Sequence, residues 1–219
     1  MAYTWRTSQT GSSAGATITV VEPTSAASGD WEFVLISVSS NAITVATPSG
    51  WTLFADSGAG ANTRFYIFYV TGGRGASAPG LNFTASGGAG HEWHCLGVAG
   101  SNVTIDASAT QAIATGTNPD PPSATAIQTS DESIAIGFNF AGATWVTQAG
   151  YTIRSLNSGG LDCVASSKDL VGSGAENPAV FTGPGAANDI FAATILLQAA
   201  ADGLVAYQPW LSRGPVMAQ

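Results

Sequence analysis

Glycine and proline are spaced so closely in this chain that they exclude long helices. There are 27 glycines and 10 prolines among 219 residues, and no stretch of about 12 residues has apolar side chains at helical spacing. The segments between these turn residues are rich in β-branched and aromatic residues, which favour strands. We predict ten short strands, at 16–21, 31–38, 42–46, 64–70, 81–85, 91–98, 132–140, 161–167, 179–183 and 189–198.

Four short motifs recur in the same order about 100 residues apart, at offsets of 101, 100, 98 and 98. The matched pairs are DWEFVLISV (30–38) with DESIAIGFN (131–139), GWTL (50–53) with GYTI (150–153), LNFTASG (81–87) with AVFTGPG (179–185), and HEWHCLGV (91–98) with DIFAATIL (189–196), where Trp93 is matched with Phe191. We infer a duplicated unit of about five strands, with halves at about 16–106 and 120–198. A sheet of so few strands cannot bury its apolar face alone, so the two copies should pack together.

The predicted fold class is therefore all-β, a jelly-roll-like two-sheet β-sandwich forming a single domain over residues 1–198. The remaining residues, 199–219, fit neither copy and form an extended C-terminal arm. This arm carries large apolar side chains that need a surface to dock on, which would be a neighbouring subunit or the chain's own sandwich. The apolar residues of the arm are Leu204, Val205, Tyr207, Trp210, Leu211, Val216 and Met217.

Alternation of side chains shows which strand faces enter the core. Ile134, Ile136, Phe138 and Phe140 alternate with small or polar residues, so this strand is predicted to be half-buried. In the first copy Phe33 and Leu35 take the core positions, but the opposite face is also apolar, as it is in the strand at 64–70. An apolar second face is covered either by the same chain or by another subunit. The residues on this second face are Val34, Ile36, Val38, Tyr66, Phe68 and Val70.

Charged side chains make up only 9% of the sequence, where about 25% is usual. The net charge of −8 excludes a nucleic-acid partner, because phosphate binding needs a basic surface. No apolar run approaches the ~18 residues that cross a membrane, and the N-terminus does not resemble a secretory signal. We expect the chain to remain in the cell that makes it, with its surface largely occupied by neighbouring proteins.

Few residues in the sequence are candidates for catalysis or metal binding. His91 and His94 lie on opposite faces of a predicted strand, so they do not meet on one metal ion. Either His91 joins the two cysteines in a metal site, or Trp93 and Cys95 belong to the core, as Phe191 and Ala193 do in the second copy. We favour the core, and buried thiols for Cys95 and Cys163 rather than a disulfide. Most of the 14 acidic residues lie at turns, so we expect no enzyme, no metal and no cofactor.

Aromatic residues are the remaining functional signal. Tryptophans on a sandwich face could stack on sugar rings, but Trp51 and Trp93 have repeat partners, which indicates packing. Trp5, Trp145 and Trp210 have none, and they are candidates for contact with a ligand or partner.

The run from Gly29 through Leu53 (GDW…FVLI…PSGWTL), followed by an aromatic strand and an Asn-Phe-Thr strand, resembles a family of all-β proteins of tailed phages and prophages. The resemblance covers about residues 16–198. It implies a jelly-roll-like virion structural protein, either a capsid decoration (cement) protein or a tail or fibre element, without catalytic residues.

We expect a non-enzymatic capsid decoration subunit in the virion, made in the host cytoplasm. Its partners would be identical copies, as a trimer, and the major capsid protein or other virion proteins. The alternative is a carbohydrate-binding or adhesive module of a tail fibre or cell surface; a polysaccharide-degrading enzyme is a third possibility. The candidate interface residues are Val34, Ile36, Val38, Tyr66, Phe68, Trp145, Tyr207, Trp210, Leu211, Val216 and Met217.

Overall fold

The computed structural model describes residues 3–72, 81–99, 103–127, 132–140, 145–146, 148–157, 160–182 and 187–199. All regular elements within these ranges are strands, so the predicted all-β class is confirmed. In this part of the chain there is no helix with the length and apolarity needed to span a membrane.

The first sheet is wholly antiparallel and contains six strands. Its strand order is β1-β6-β2-β5-β4, and β3 pairs with β6. These strands are β1 (Gln9–Val20), β2 (Gly29–Val38), β3 (Val45–Ala46), β4 (Thr52–Asp56), β5 (Arg64–Gly72) and β6 (Leu81–Val98). Two predicted strands, 81–85 and 91–98, are thus parts of one long strand, and β1 begins well before the predicted 16–21.

The second sheet has the order β11-β12-β10-β14-β7, with β8 paired to β14, while β9 and β13 form a separate pair. Its strands are β7 (Val103–Thr110), β8 (Ala114–Gly116), β10 (Glu132–Asn139), β11 (Thr152–Leu156), β12 (Asp162–Asp169) and β14 (Asn188–Ala199). The small pair is β9 (Ala124–Ala126) and β13 (Gly174–Glu176). This sheet starts at Val103, so the second copy begins earlier than the predicted residue 120.

The two sheets repeat each other strand for strand, because β1, β6, β2, β5 and β4 correspond in order to β7, β14, β10, β12 and β11. The turn before β4 recurs before β11, with Trp51 N–H donating to Pro48 O and Tyr151 N–H donating to Gln148 O, both at 3.1 Å. Glycine precedes each of these aromatic residues in the left-handed region, where a side chain is strained. The sheet topology therefore supports the predicted duplication.

The predicted alignment of β6 with β14 is wrong by one residue. Leu96 pairs with Phe33 in the first sheet, and Ile195 pairs with Ile134 in the second, so the true equivalents are 99 residues apart. His94, not Cys95, therefore corresponds to Ala193. Because strand side chains alternate, a slip of one residue exchanges the two faces.

The inner faces of the sheets pack on each other and form the main core. Phe33 and Leu35 meet Ile134, Ile136 and Phe138 there, as predicted. Phe65 of β5 stacks on Phe138 at a centroid distance of 5.0 Å and on Phe191 at 6.4 Å. The two copies therefore form one two-layered body, which confirms the predicted β-sandwich.

The outer face of the first sheet is covered by the sheet's own strands. The β1–β6 ribbon has a register shift between Gly15 and Thr17, and beyond it the residues 17–20 and 81–85 lie over the outer face. Phe83 shows this cover directly, since its ring lies 4.9 Å from Phe68 and 5.5 Å from Trp51. We call residues 17–20, 45–46 and 81–85 the first outer layer.

The outer face of the second sheet is covered by separate short segments. Ala124 and Ala126 of β9 pack with Leu170 on Leu196 of β14. Trp145 and Phe181 pack on the small side chains of β10 and β12. We call residues 124–127, 145–146 and 170–182 the second outer layer. Strand β10 is buried on both faces, so the prediction that it is half-buried is wrong.

Candidate functional site

Five predicted interface residues lie inside the subunit. Val34, Ile36, Val38, Tyr66 and Phe68 are at most 1% exposed and belong to the cluster under the first outer layer. Of the two alternatives for this apolar face, cover by the same chain is the one observed. The assignment of these residues to a partner interface is therefore corrected, because the folded β1–β6 ribbon occupies the surface that a partner would need.

Trp145 is also a core residue. Its indole is 5% exposed and meets the Phe181 ring edge-on at 5.8 Å. The backbone beside it forms the bridge Val146–Thr182, as Ala46 does with Thr84 in the first half. Trp145 thus has a structural counterpart in Val45, which the sequence comparison missed. The other candidates, Tyr207, Trp210, Leu211, Val216 and Met217, lie outside the described residues.

Tryptophan side chains of the described residues do not form an open stacking platform. Trp31, Trp51 and Trp93 are buried. Trp5 is half-buried, and its ring faces the Arg154 guanidinium at 5.1 Å while its Nε1–H donates to Glu132 at 2.8 Å. Trp5 thus joins the N-terminal segment to the second sheet.

The histidines occupy opposite faces of β6, as predicted. Trp93 and Cys95 belong to the outer cluster, whereas His94 points into the sandwich, where its Nδ1 lies 2.7 Å from Ser155 Oγ. Burial lowers the pKa of His94 to about 3, so the ring is neutral. Because both side chains are buried, the Ser155–His94 hydrogen bond joins the two sheets from inside the sandwich.

The two cysteines are buried thiols that form no disulfide, as predicted. Cys95 lies in the cluster beneath the first outer layer and Cys163 lies in the core between the sheets. The first sheet separates the two clusters. Among the described residues, no three histidine, cysteine or acidic side chains lie together so that they could hold a metal ion.

Asp189 at the start of β14 fastens the β4–β5 turn of the other half. Its carboxylate accepts hydrogen bonds from the backbone N–H groups of Ala61, Asn62 and Thr63 and from the Thr63 hydroxyl, at 2.7–3.0 Å. Burial alone would raise the pKa of Asp189, but these hydrogen bonds outweigh it and lower the pKa below its usual range.

Glu92 of β6 makes the corresponding contact with the β11–β12 turn. It accepts a hydrogen bond from the Asn157 side chain at 2.8 Å. Burial and the nearby charge of Asp162 raise the pKa of Glu92. Each half thus binds a turn of the other half through one carboxylate, and the second tie is the weaker one.

Glu132 and Asp169 are the described residues closest to a catalytic acid pair. They are directly opposite each other on β10 and β12, and burial, together with Asp169, raises the pKa of Glu132 to about 7. Glu132 is 1% exposed, holds Trp5 and forms a side-chain hydrogen bond with Asp169, so the two acids are in direct contact. Glycoside hydrolysis needs carboxyl groups about 5–10 Å apart across a cleft. The contact between Glu132 and Asp169 therefore suits a role in holding the fold.

A polar chain ties the second outer layer to β10 and β12. The Tyr151 hydroxyl lies 2.8 Å from Ser133 Oγ and donates to Glu176 at 2.8 Å. Lys168 Nζ donates to the same Glu176 carboxylate at 3.0 and 3.1 Å. Burial raises the pKa of Tyr151, so the phenol keeps its proton and Glu176 stays bound.

Exposed apolar side chains are concentrated on the second half, which sequence reasoning missed. Five of the seven large apolar residues that the described part exposes lie there, four of them on the second outer layer. Val171 is 100% exposed, Ile127 is 69% exposed and Val146 is 55% exposed. The seven residues are Val21, Leu53, Ile127, Val146, Leu156, Val171 and Val180.

One cleft lies on the first half beside Trp51, with a volume of about 390 Å³. Its lining is mixed, since apolar Trp51, Val70 and Leu81 stand beside the Asn82 amide. Thr19 donates a hydrogen bond to the Asn82 side-chain oxygen at 2.8 Å, which orients the amide.

Comparison of the chain with protein-family models, curated proteins and solved structures found no match.

Proposed function

We propose that this chain is a non-enzymatic structural subunit of a phage particle, bound as a decoration protein to the outside of the head. The observation that carries the proposal is the second outer layer, which exposes Ile127, Val146, Val171 and Val180. We take these four side chains to belong to one binding surface, since apolar side chains exposed together mark binding sites on soluble proteins. The second half would therefore face the capsid, and the first half would face outward or toward other copies.

The use of the charged residues supports a structural role. Arg6 pairs with Asp30, Arg64 pairs with Asp56, and Lys168 pairs with Glu176. The carboxylates of Glu92, Glu132 and Asp189 hold parts of the same chain, as described above. Since these groups maintain the fold, recognition of a partner would depend on shape and apolar contact.

The resemblance of residues 29–53 to the phage family supports the virion as the assembly. The low charge fraction of 9% agrees with a subunit that is surrounded by neighbours. Partners of this subunit would be identical copies and the major capsid protein.

The test is binding to heads purified from a phage or prophage that encodes this chain, stripped of the bound protein. We expect saturable binding by co-sedimentation. Val146→Asp together with Val171→Asp should weaken it by about tenfold or more, because a charge would be buried at the interface.

Val21→Asp is the matched control, because Val21 is 50% exposed but lies on the first half. It should leave binding to heads within about twofold of the wild type. Equal losses for the control and the double variant would contradict docking through the second outer layer, and failure of the wild type to bind heads would contradict the proposed function. Deleting residues 203–219 and repeating the measurement shows how much the C-terminal arm contributes to binding to heads.

A glycan-binding module is the second candidate, and the cleft beside Trp51 is the observation that favours it. An aromatic wall with an oriented amide suits a sugar ring. A glycan array read with intrinsic tryptophan fluorescence would detect this binding. Asn82→Ala should abolish a positive signal, and an array without any signal would count against this candidate.

A further inference from the structure

Strand β1 presents the longest open edge among the described residues. Its 12 residues pair with β6 on one side, and β1 ends the strand order of the first sheet. On the other side Thr24 bridges Thr7 just before β1 and accepts a hydrogen bond from the Gln9 side chain, whereas the backbone of residues 10–15 has no strand partner within the described chain. Such an edge is a template for pairing with another strand.

The other sheet edges are protected. Strands β4 and β11 have five residues each, and both have a register shift in their middle. Strand β7 packs against β9, where Asp106 accepts a hydrogen bond from the Ile127 N–H at 2.7 Å. Short length, bulges and cover are the usual defences of a sheet edge against pairing.

Strand β1 lacks the charge that usually protects a long edge. Residues 7–21 contain no charged side chain, and Thr10, Ser12 and Ala14 are exposed. The strand is also held rigidly, since it is in register with β6 from Gln9 to Gly15. A Cβ at Gly11 would lie 2.5 Å from the Trp93 ring, so this backbone is seated directly on the indole. A preformed strand loses little conformational entropy when it pairs.

We propose that residues 9–15 of β1 pair antiparallel with the same residues of a second copy, joining the two first sheets into one. The second copy is the occupant because the segment is uncharged, so identical strands approach without repulsion. A two-fold axis also matches two edges of equal length. The register shift after Gly15 limits the pairing to these seven residues.

This contact is two-fold, whereas the sequence led us to expect a trimer. It uses the first half only and leaves the second outer layer free. It therefore goes beyond the proposed docking on the head, and it is testable on the purified chain alone.

Sedimentation velocity from low micromolar to millimolar concentration tests the proposal. We expect a concentration-dependent dimer. Ser12→Lys together with Ala14→Lys should weaken it by about tenfold or more, since the lysines at position 12 lie directly opposite each other across the axis and those at position 14 lie diagonal to them. Amide hydrogen exchange of residues 9–15 in the wild type should become slower at high concentration.

Thr52→Lys is the matched control, because it adds a lysine at an exposed position of the short β4 edge and should leave the dimer unchanged. A further variant, Ser12→Glu with Ala14→Glu, should form a heterodimer with the lysine variant, which shows that both are folded. A wild type that stays monomeric, or one that forms a trimer, would overturn the proposal. So would self-association that persists in the β1 variants but is lost on deleting residues 203–219.

Discussion

Ile36 of β2 and Gly137 of β10 occupy the same place in the two sheets, but they face different surroundings. Ile36 lies among large side chains beneath the first outer layer. At Gly137 the Phe181 ring lies against the backbone, where a Cβ would be only 2.6 Å away. The pattern continues nearby, since Tyr66 corresponds to Val164 and Trp93 corresponds to Ala192.

The two halves therefore share an inner core but differ in their outer cover. The first half buries large side chains under a continuous folded ribbon, whereas the second has small side chains under separate segments. The inner faces pack on each other, so a substitution on one face must fit the other. The outer faces are independent, so one copy could specialise in stability and the other in exposing a surface.

Phe83→Ala is expected to have the largest effect on this comparison. Phe83 is 0% exposed and contacts two aromatic rings, so truncation should lower the free energy of unfolding by about 3–5 kcal/mol. Phe181→Ala should lower it by only about 2–3 kcal/mol, because short segments can collapse onto the cavity. Urea unfolding measures both, and equal losses would contradict the difference between the two outer layers.

Asp189→Asn tests whether the two ties between the halves are unequal. Losing the charged acceptor of four hydrogen bonds should cost about 2–3 kcal/mol, whereas Glu92→Gln should cost less than about 1 kcal/mol. Because the pKa of Asp189 is lowered by folding, its contribution is present above the ordinary carboxyl pKa and is lost as pH falls through the folded pKa. Denaturant unfolding of the wild type and the variant below and above about pH 4 checks this direction. A difference in the free energy of unfolding that does not shrink in acid would refute it.

Gly137→Ala probes the close packing of the second outer layer. The new methyl group would force Phe181 to move, so we expect a loss of about 1–3 kcal/mol in the free energy of unfolding. Gly87→Ala is the control, because its Cβ would meet Ile43 at an ordinary 3.5 Å. Thermal unfolding compares the two variants, and similar melting temperatures would mean that Phe181 is not held against the backbone.

The smallest expected effect is that of Glu132→Gln, which should change how the free energy of unfolding depends on pH. The equivalent residue of the first half is Trp31, which stacks on Tyr69 at 5.3 Å, so only the second half has a carboxyl here. Its pKa is about 7 when folded and 4.5 ordinarily, so the free energy of unfolding falls as pH rises between these values. From about pH 5 to about pH 6 the variant should gain about 1 kcal/mol relative to the wild type. Parallel stability curves for the two proteins would contradict this assignment.

The duplication was predictable because its motifs recur in the same order, and the inner core was predictable because its apolar residues alternate along the strands. Phe33, Leu35, Ile134 and Ile136 show their period of two directly in the sequence. The alignment of β6 with β14 failed because the outer residues changed size, so aromatic Trp93 was matched to aromatic Phe191 across opposite faces. Register is fixed by pairing with neighbouring strands, and a single sequence does not contain that information.

The interface residues were harder to predict. Residues 9–15 are small and polar, and their strand forms because β6 is there to pair with it. Val34 and Ile36 had the composition of an interface, but the cover that buries them is assembled from three separate segments, 17–20, 45–46 and 81–85, and the last is more than 40 residues away in sequence. Val146 and Val171 stand as single apolar residues among polar ones, and only the fold shows that they share a layer.

The folding of the β1–β6 ribbon over its own sheet has a consequence for local opening. The first outer layer cannot detach without pulling out strands that also pair in the sheet, so its amides should exchange only in global unfolding. The second outer layer is joined to its sheet by short segments and can open by itself. The first outer layer should thus open only when the whole domain unfolds, whereas the second outer layer can open locally and adapt to a partner while the sandwich stays folded.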